Sequence, residues 1–195
     1  MADTFQPAIT LVSGPAASGK SRWAEHLAHS SGLAVVVLAT GPALPEDPSW
    51  QRRLRRNRER RPPAWSTLEE GGQLSAALLT MEPGQLALVD SLGTWVAAHL
   101  EEESAAWEGE MRGLMEALQA SRSPVVLVSE EAGWGVVPVT AAGGRFRDRL
   151  GTLQQGLAPL CASAWLVVQG RAIPLSRLSS VVPDVLLAPA TPGSA

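Results

Sequence analysis

A chain of 195 residues with 45% hydrophobic side chains is long enough to bury a core without disulfide or metal staples, and its composition excludes global disorder. The formal charge of −3 gives no general attraction to nucleic acid or to an anionic membrane surface. A single cysteine, Cys161, excludes a disulfide framework and a cysteine-held metal cluster, and no apolar run reaches the length of a bilayer span.

The start of the chain, Met1 to Phe5, has no basic segment followed by an apolar one, so a secretory signal is not expected. With the lone cysteine, that makes a reducing cytoplasm the expected compartment. Residues 8–12 form an apolar run rich in β-branched side chains, which predicts a buried strand. Next come Gly14, Pro15, Ala16, Ala17, Ser18, Gly19, Lys20 and Ser21, in the pattern G-x-x-x-x-G-K-[ST], and then residues 22–28 with helical spacing. Strand, glycine loop and helix together make a phosphate cradle. The glycines let backbone amides point inward, and the helix start adds positive potential. Lys20 is positioned for the terminal phosphates and the Ser21 hydroxyl for Mg²⁺. Lys20 is also the only lysine in the chain, every other strongly basic side chain being arginine. A compact ammonium rather than a planar fork is evidently required there.

Residues 34–39 read as a second buried strand. Asp47 and Pro48 make an N-cap and first-turn pair for a helix that runs through the arginine-rich segment until Pro62 and Pro63 stop it. Residues 65–69 predict a short edge strand, and 73–81 a short helix. A third buried strand, 86–90, ends on Asp90, an acid at a strand tip beside a phosphate loop, where such folds hold a magnesium-bound water. Residues 91–103 and 105–121 predict two helices, 124–129 a fourth strand, 145–160 a long helix and 164–168 a fifth strand. Strands alternating with helices imply an α/β fold with a mostly parallel sheet flanked by helices, ligands binding beyond the carboxyl ends of the strands. Residues 1–182 are expected to form one P-loop domain, and the proline- and alanine-rich 183–195 a loose tail. Arg52, Arg53, Arg55, Arg56, Arg58, Arg60 and Arg61 crowd one helix. Triphosphate capture, a solvated charged face and nucleic-acid binding compete as explanations, and no nucleic-acid module accompanies them.

Several segments match one family in order. They are the phosphate loop, then Leu38-Ala39-Thr40, Arg61-Pro62-Pro63-Ala64-Trp65, and Leu88-Val89-Asp90-Ser91-Leu92-Gly93-Thr94-Trp95. Glu131-Ala132-Gly133-Trp134-Gly135-Val136-Val137-Pro138 and Phe146-Arg147-Asp148 complete the set. The chain resembles the bifunctional adenosylcobinamide kinase/adenosylcobinamide-phosphate guanylyltransferases of cobalamin biosynthesis. The resemblance implies a RecA-like P-loop fold, a homotrimer, and phosphorylation of adenosylcobinamide by ATP or GTP with Mg²⁺. Transfer of GMP from GTP onto that phosphate would follow. By the same resemblance Ala39, Thr40 and Gly41 line the nucleotide, and Arg58, Glu59, Arg60 and Arg61 lie along its phosphates. Glu69 and Asp90 are polar and metal-side partners. Where the family carries GMP on a histidine, this chain has Asn57, whose delocalised amide nitrogen is a very poor nucleophile. Glu130 stands where an asparagine is usual. Two readings compete with the bifunctional enzyme: a catalytically reduced nucleotide-binding regulator, and a P-loop kinase for another small hydroxyl substrate.

Overall fold

The computed structural model describes residues 8–182 apart from Ala43, Pro45, Glu70, Gly71 and Val136, so the expected tail at 183–195 lies outside the described residues. Its centre is a seven-stranded sheet built from β1 (Ile9–Gly14), β2 (Ala34–Ala39), β3 (Ser66–Glu69), β4 (Gln85–Asp90), β5 (Val125–Glu130), β6 (Ser163–Val168) and β7 (Arg171–Pro174). The order is β3-β2-β4-β5-β1-β6-β7, and every pairing is parallel except the β6–β7 hairpin. This is the expected mostly parallel sheet of an α/β P-loop fold, with the loop strand β1 between β5 and β6.

Side chains alternate along each central strand, so one apolar run feeds two cores. Val12, Val35, Val37, Leu86, Leu88, Val126 and Val128 pack with Ala24 and Ala28 of α1 (Lys20–Ser30). Leu11, Leu38, Ala87, Val89 and Leu127 face the other way. There they meet α3 (Leu74–Leu79), α4 (Leu92–Ala98), α5 (Ser104–Ala120) and α6 (Ala141–Leu157) through Leu78, Trp95, Leu114 and Leu153. The tryptophans and methionines of α4 and α5 that fall in this layer are packing residues, as their spacing implies. Among the described residues, no helix is long and apolar enough to cross a membrane.

The arginine-rich segment forms α2 (Pro48–Arg60). Its start is the expected cap: the Asp47 carboxylate accepts from the backbone N–H of Ser49 at 2.8 Å and of Trp50 at 3.0 Å. Donation from Trp50, then from the Ser49 hydroxyl, holds the Asp47 carboxyl below the usual carboxylate range.

Three elements depart from the sequence expectation. The helix expected over 91–103 stops at Ala98, and the buried Arg149 of α6 holds carbonyls of the segment that follows it. Its guanidinium donates to His99 O at 2.7 Å, Leu100 O at 3.3 Å and Glu102 O at 2.6 Å, and stacks on Trp107. The long helix begins at Ala141 rather than at 145, since Thr140 caps it by accepting from Gly143 N at 3.1 Å. Gly143 reads as a breaker, yet a Cβ there would come within 2.7 Å of Pro138, so the missing side chain permits the close approach. Residues 158–160 continue it as one 3₁₀ turn. Finally, β7 and the short α7 (Leu175–Leu178) were not expected; Gln169 and Gly170, both with positive φ, turn the chain back into the β6–β7 hairpin.

Arg149→Met, which strips the partners from these carbonyls, is expected to lower the unfolding free energy by about 2–4 kcal/mol in urea titration, with the m-value unchanged.

Candidate active site

Parallel register carries the candidate residues to one edge of the sheet. Gly14 pairs with Glu130 across β1 and β5, while Ala39 pairs with Asp90 on one side and with Glu69 on the other. The phosphate loop therefore closes over the carboxyl ends of β1, β5 and β4.

The loop's backbone explains its residues. Ala17 and Gly19 have φ of 58° and 100°, and the Ser18 N–H donates to Pro15 O at 3.3 Å. A Cβ on Gly14 would lie 2.3 Å from the carbonyl oxygen of Val167, so only glycine fits between β1 and β6. Lys20 is buried at the start of α1, its Nζ donating to Pro15 O at 3.5 Å and standing 4.0 Å from Glu130 Oε1. The next residue, Ser21, donates from Oγ to Asp90 Oδ1 at 3.5 Å. Lys20, Ser21 and Asp90 are thus brought together. A hydroxyl and a carboxylate at this separation are the hard oxygen donors that Mg²⁺ takes. No group of three or more acidic, histidine or cysteine side chains that could hold a metal occurs among the described residues.

A network of charge extends from Asp90. Its Oδ2 accepts from Arg61 Nη2 at 2.7 Å, and Arg61 Nε donates to Glu25 Oε1 at 3.2 Å. Glu25 also takes two bonds from Arg60, from Nε at 2.5 Å and from Nη2 at 2.8 Å. That hydrogen bonding raises the Arg60 guanidinium above its ordinary value. Arg60 Nη2 further donates to Asn57 Oδ1 at 3.3 Å, and Arg58 is ion-paired with Glu69. The arginine cluster therefore divides. Arg58, Arg60 and Arg61 are held by carboxylates, Arg53 lies over the Trp50 ring, and Arg55 and Arg56 are exposed with no ion pair to a described residue.

Between this network and β2 lies a cleft of about 240 Å³ whose lining includes Ala39, Gly41, Trp50, Asn57, Arg61 and Asp90. Gly41 is needed because a Cβ would lie 2.6 Å from the Trp50 ring. Thr40 is buried, and its hydroxyl is committed to Ser91 O at 2.5 Å and Thr94 Oγ1 at 2.6 Å, so it braces the loop after β4. Glu59 is exposed on α2 and is not part of the cleft lining. Pro15, Ala16 and Ala17 form the outer rim of the phosphate loop.

Two contributors had no motif to mark them. Glu25 lies on α1 beyond the loop pattern, and its role as the shared anchor of Arg60 and Arg61 exists only once α2 folds over α1. Glu130, singled out in sequence only as a departure, accepts from Ser91 Oγ at 2.8 Å and from Gly93 N at 2.9 Å, and a Cβ on Gly93 would strike it at 2.1 Å. The histidines stand apart. His99 is buried, with Nδ1 at 2.7 Å from Glu102 and Nε2 at 3.1 Å from Gly72 O, while His26 and His29 are exposed on α1. Burial pushes the Cys161 thiol up to about 11, which leaves it protonated at neutral pH.

Residues 10–175 match the family model described as cobinamide kinase / cobinamide phosphate guanyltransferase. A Pseudomonas aeruginosa protein named bifunctional adenosylcobalamin biosynthesis protein CobP is 41% identical over 167 residues, which cover 85% of this chain and 95% of that protein. The Escherichia coli K12 protein named bifunctional adenosylcobalamin biosynthesis protein CobU is 32% identical over 177 residues, covering 83% and 96%. A solved structure from Pyrococcus horikoshii OT3 superposes with a TM-score of 0.52 at 8% identity, covering 93% of this chain and 94% of the other, a likeness of fold alone.

Glu25→Gln removes the charge that aligns two guanidiniums. It is expected to weaken binding of magnesium-GTP about five- to twentyfold by titration calorimetry, the binding stoichiometry staying the same.

Proposed function

This chain belongs to the cobinamide kinase / cobinamide phosphate guanyltransferase family, and on that premise we propose how its own residues serve the two reactions of cobalamin biosynthesis. In the first, a hydroxyl of adenosylcobinamide is phosphorylated by ATP or GTP. In the second, GMP passes from GTP to the new phosphate. Membership supports this reading over a non-catalytic regulator or a kinase for an unrelated hydroxyl.

In the kinase step the substrate hydroxyl oxygen attacks the γ-phosphorus, the bond from γ-phosphorus to the β-bridging oxygen breaks, the nucleoside diphosphate leaves, and the hydroxyl proton passes to a phosphate oxygen or to water. Little covalent work falls to the protein; positioning and charge neutralisation do most of it. Lys20 exchanges its loop carbonyl and the nearby Glu130 for the β- and γ-phosphate oxygens. The loop amides from Ala16 to Ser21 hold the β-phosphate. Arg61, fixed between Asp90 and Glu25, brings positive charge to the rim of the same site. Mg²⁺ would be held by the Ser21 hydroxyl and, through water, by Asp90, and it would neutralise charge between the β- and γ-phosphates. Ala39 and Gly41 would line the nucleotide's side of the cleft, with Asn57, Arg58 and Glu69 around its mouth.

The observation that carries this reading is the buried Lys20 ammonium inside its loop, with Ser21 facing Asp90 beside it, in a chain matched to the family from residue 10 to residue 175. A homotrimer follows from the same membership as a proposal. Trp134, Val137 and Val139, exposed after β5, are a surface that such an assembly would cover.

Lys20→Ala is expected to cut conversion of adenosylcobinamide to its phosphate at least about 10²–10³-fold, read by chromatography of the corrinoid, with an unchanged thermal transition. Turnover close to that of the unaltered chain would sink the assignment. Chelation of divalent cations should stop the same conversion and added magnesium should restore it.

A further inference from the structure

We propose that GMP transfer on this chain is a single in-line displacement, in which the acceptor phosphate attacks the α-phosphorus of GTP directly and no GMP is ever bonded to the protein. The proposal rests on the transferase half of the function above and specifies its chemistry.

A protein-bound nucleotide needs a side chain that can attack phosphorus, leave again, and reach the α-phosphate unencumbered. Among the described residues, the cleft beside the phosphate loop contains none. Asn57 presents an amide whose nitrogen lone pair is delocalised and whose oxygen accepts from Arg60 at 3.3 Å. Glu69 is paired with Arg58, and Asp90 lies between Ser21 and Arg61. Ser91 is 3% exposed, and its hydroxyl donates to Glu130 at 2.8 Å. Thr94 is 2.6 Å from the Thr40 hydroxyl and donates to Ser91 O at 3.0 Å. Thr67, on the edge strand, has no described carboxylate or imidazole bonded to it that could take its proton.

The remaining nitrogen nucleophiles are also committed or distant. Lys20 is committed inside the phosphate loop, its Nζ donating to Pro15 O at 3.5 Å and lying 4.0 Å from Glu130 Oε1. None of the chain's three histidines lines the cleft. His99 has both ring nitrogens engaged beneath Trp95, and His26 and His29 project from the exposed side of α1. Cys161 precedes β6, at the amino ends of the strands, opposite the phosphate loop.

What the cleft does offer is guanidiniums held in place. Arg58 and Arg61 line it, Arg58 paired with Glu69 and Arg61 with Asp90 and Glu25, and Arg60 shares Glu25 beside them. That is the equipment needed to bring one phosphate against another, because the barrier to direct attack is largely repulsion between two anions. The balance is complete without the protein. A non-bridging oxygen of the acceptor phosphate forms the new bond to the α-phosphorus. The bond from the α-phosphorus to the α,β-bridging oxygen breaks, and its electron pair leaves with pyrophosphate. A phosphate monoester dianion has no proton to lose, so no general base is required.

The test uses the full chain with magnesium, adenosylcobinamide phosphate and GTP made chiral at the α-phosphorus by sulfur and oxygen-isotope labelling. Inversion at phosphorus in the product, with no exchange of labelled pyrophosphate into GTP when the acceptor is omitted, is the expected result. Retention of configuration, acceptor-independent exchange, or radiolabelled GMP on the denatured protein would each overturn the proposal. The last would also locate the side chain, including one reaching in from a second copy of the chain. Absence of guanylylated product while phosphorylation proceeds would overturn this proposal and the transferase half, leaving the kinase assignment intact. Absence of both products would instead strike the functional reading as a whole.

Discussion

Parallel pairing imposes a shared end on neighbouring strands, and the candidate site of this molecule depends on that constraint more than on any single contact. With β1, β5, β4, β2 and β3 aligned in one direction, their last residues form a row: Gly14 beside Glu130, Ala39 between Asp90 and Glu69. A one-residue slip in any of these pairings would exchange the two faces of that strand, placing Val37 or Leu88 in the wrong core and turning its terminal acid away from the loop. The apolar alternation that fills two cores is therefore also what aims Asp90 at Ser21. Core packing and site geometry are set by the same register.

Charge is the second constraint. Arg61 is 9% exposed at its side chain, as is the Asp90 carboxylate it meets, and Glu25 is 10% exposed. Pairs this deep lose much of their Coulombic gain to desolvation, so they are poor sources of net stability. Their value here is geometric. Each carboxylate satisfies part of a guanidinium fork and fixes where the rest of it lies. Lys20 follows the same logic at the loop, resting on a carbonyl and near a carboxylate that a triphosphate can replace. A site built to receive an anion is stable without one only because its own carboxylates stand in.

What could be read from the sequence follows from how local each requirement is. The phosphate loop was legible because its demands fall on consecutive backbone positions, and the structure gives them plain causes at Gly14 and Gly19. Buried strands were legible because continuous apolar runs have no other stable place in a chain of this size. The α2 start was legible from Asp47 and Pro48 alone. The bonds from Arg60 and Arg61 to Glu25, by contrast, span 35 and 36 positions. No periodicity encodes such a pairing, and Glu25 looks like any acid on an amphipathic helix. Arg149 was invisible for the same reason, its three carbonyl partners lying 50, 49 and 47 positions away. Gly143 is the opposite case: a residue that weakens helices in isolation lies inside this one, where a Cβ would come within 2.7 Å of Pro138. The β6–β7 hairpin carried a readable signal, a two-residue turn ending in Gly170, which the long run of parallel crossovers before it obscured.

The two reactions of the family attack one nucleotide at opposite ends of its triphosphate, and a single phosphate loop constrains how both can be served. On the proposed function the loop amides and Lys20 would grip the β- and γ-region, so attack at γ would take place over the loop itself. Attack at α would then take place one phosphate further out, toward the cleft of Asn57, Arg58 and Arg61. A nucleophilic side chain placed there divides the second reaction into two easier displacements, but it is not the only way to lower the barrier. Guanidiniums held in place by Glu25, Glu69 and Asp90 would lower it by reducing anion repulsion, and they would act on whichever oxygen attacks. On that proposal the arginines serve every route alike, and the identity of residue 57 decides only whether the protein itself takes part in the bond-making.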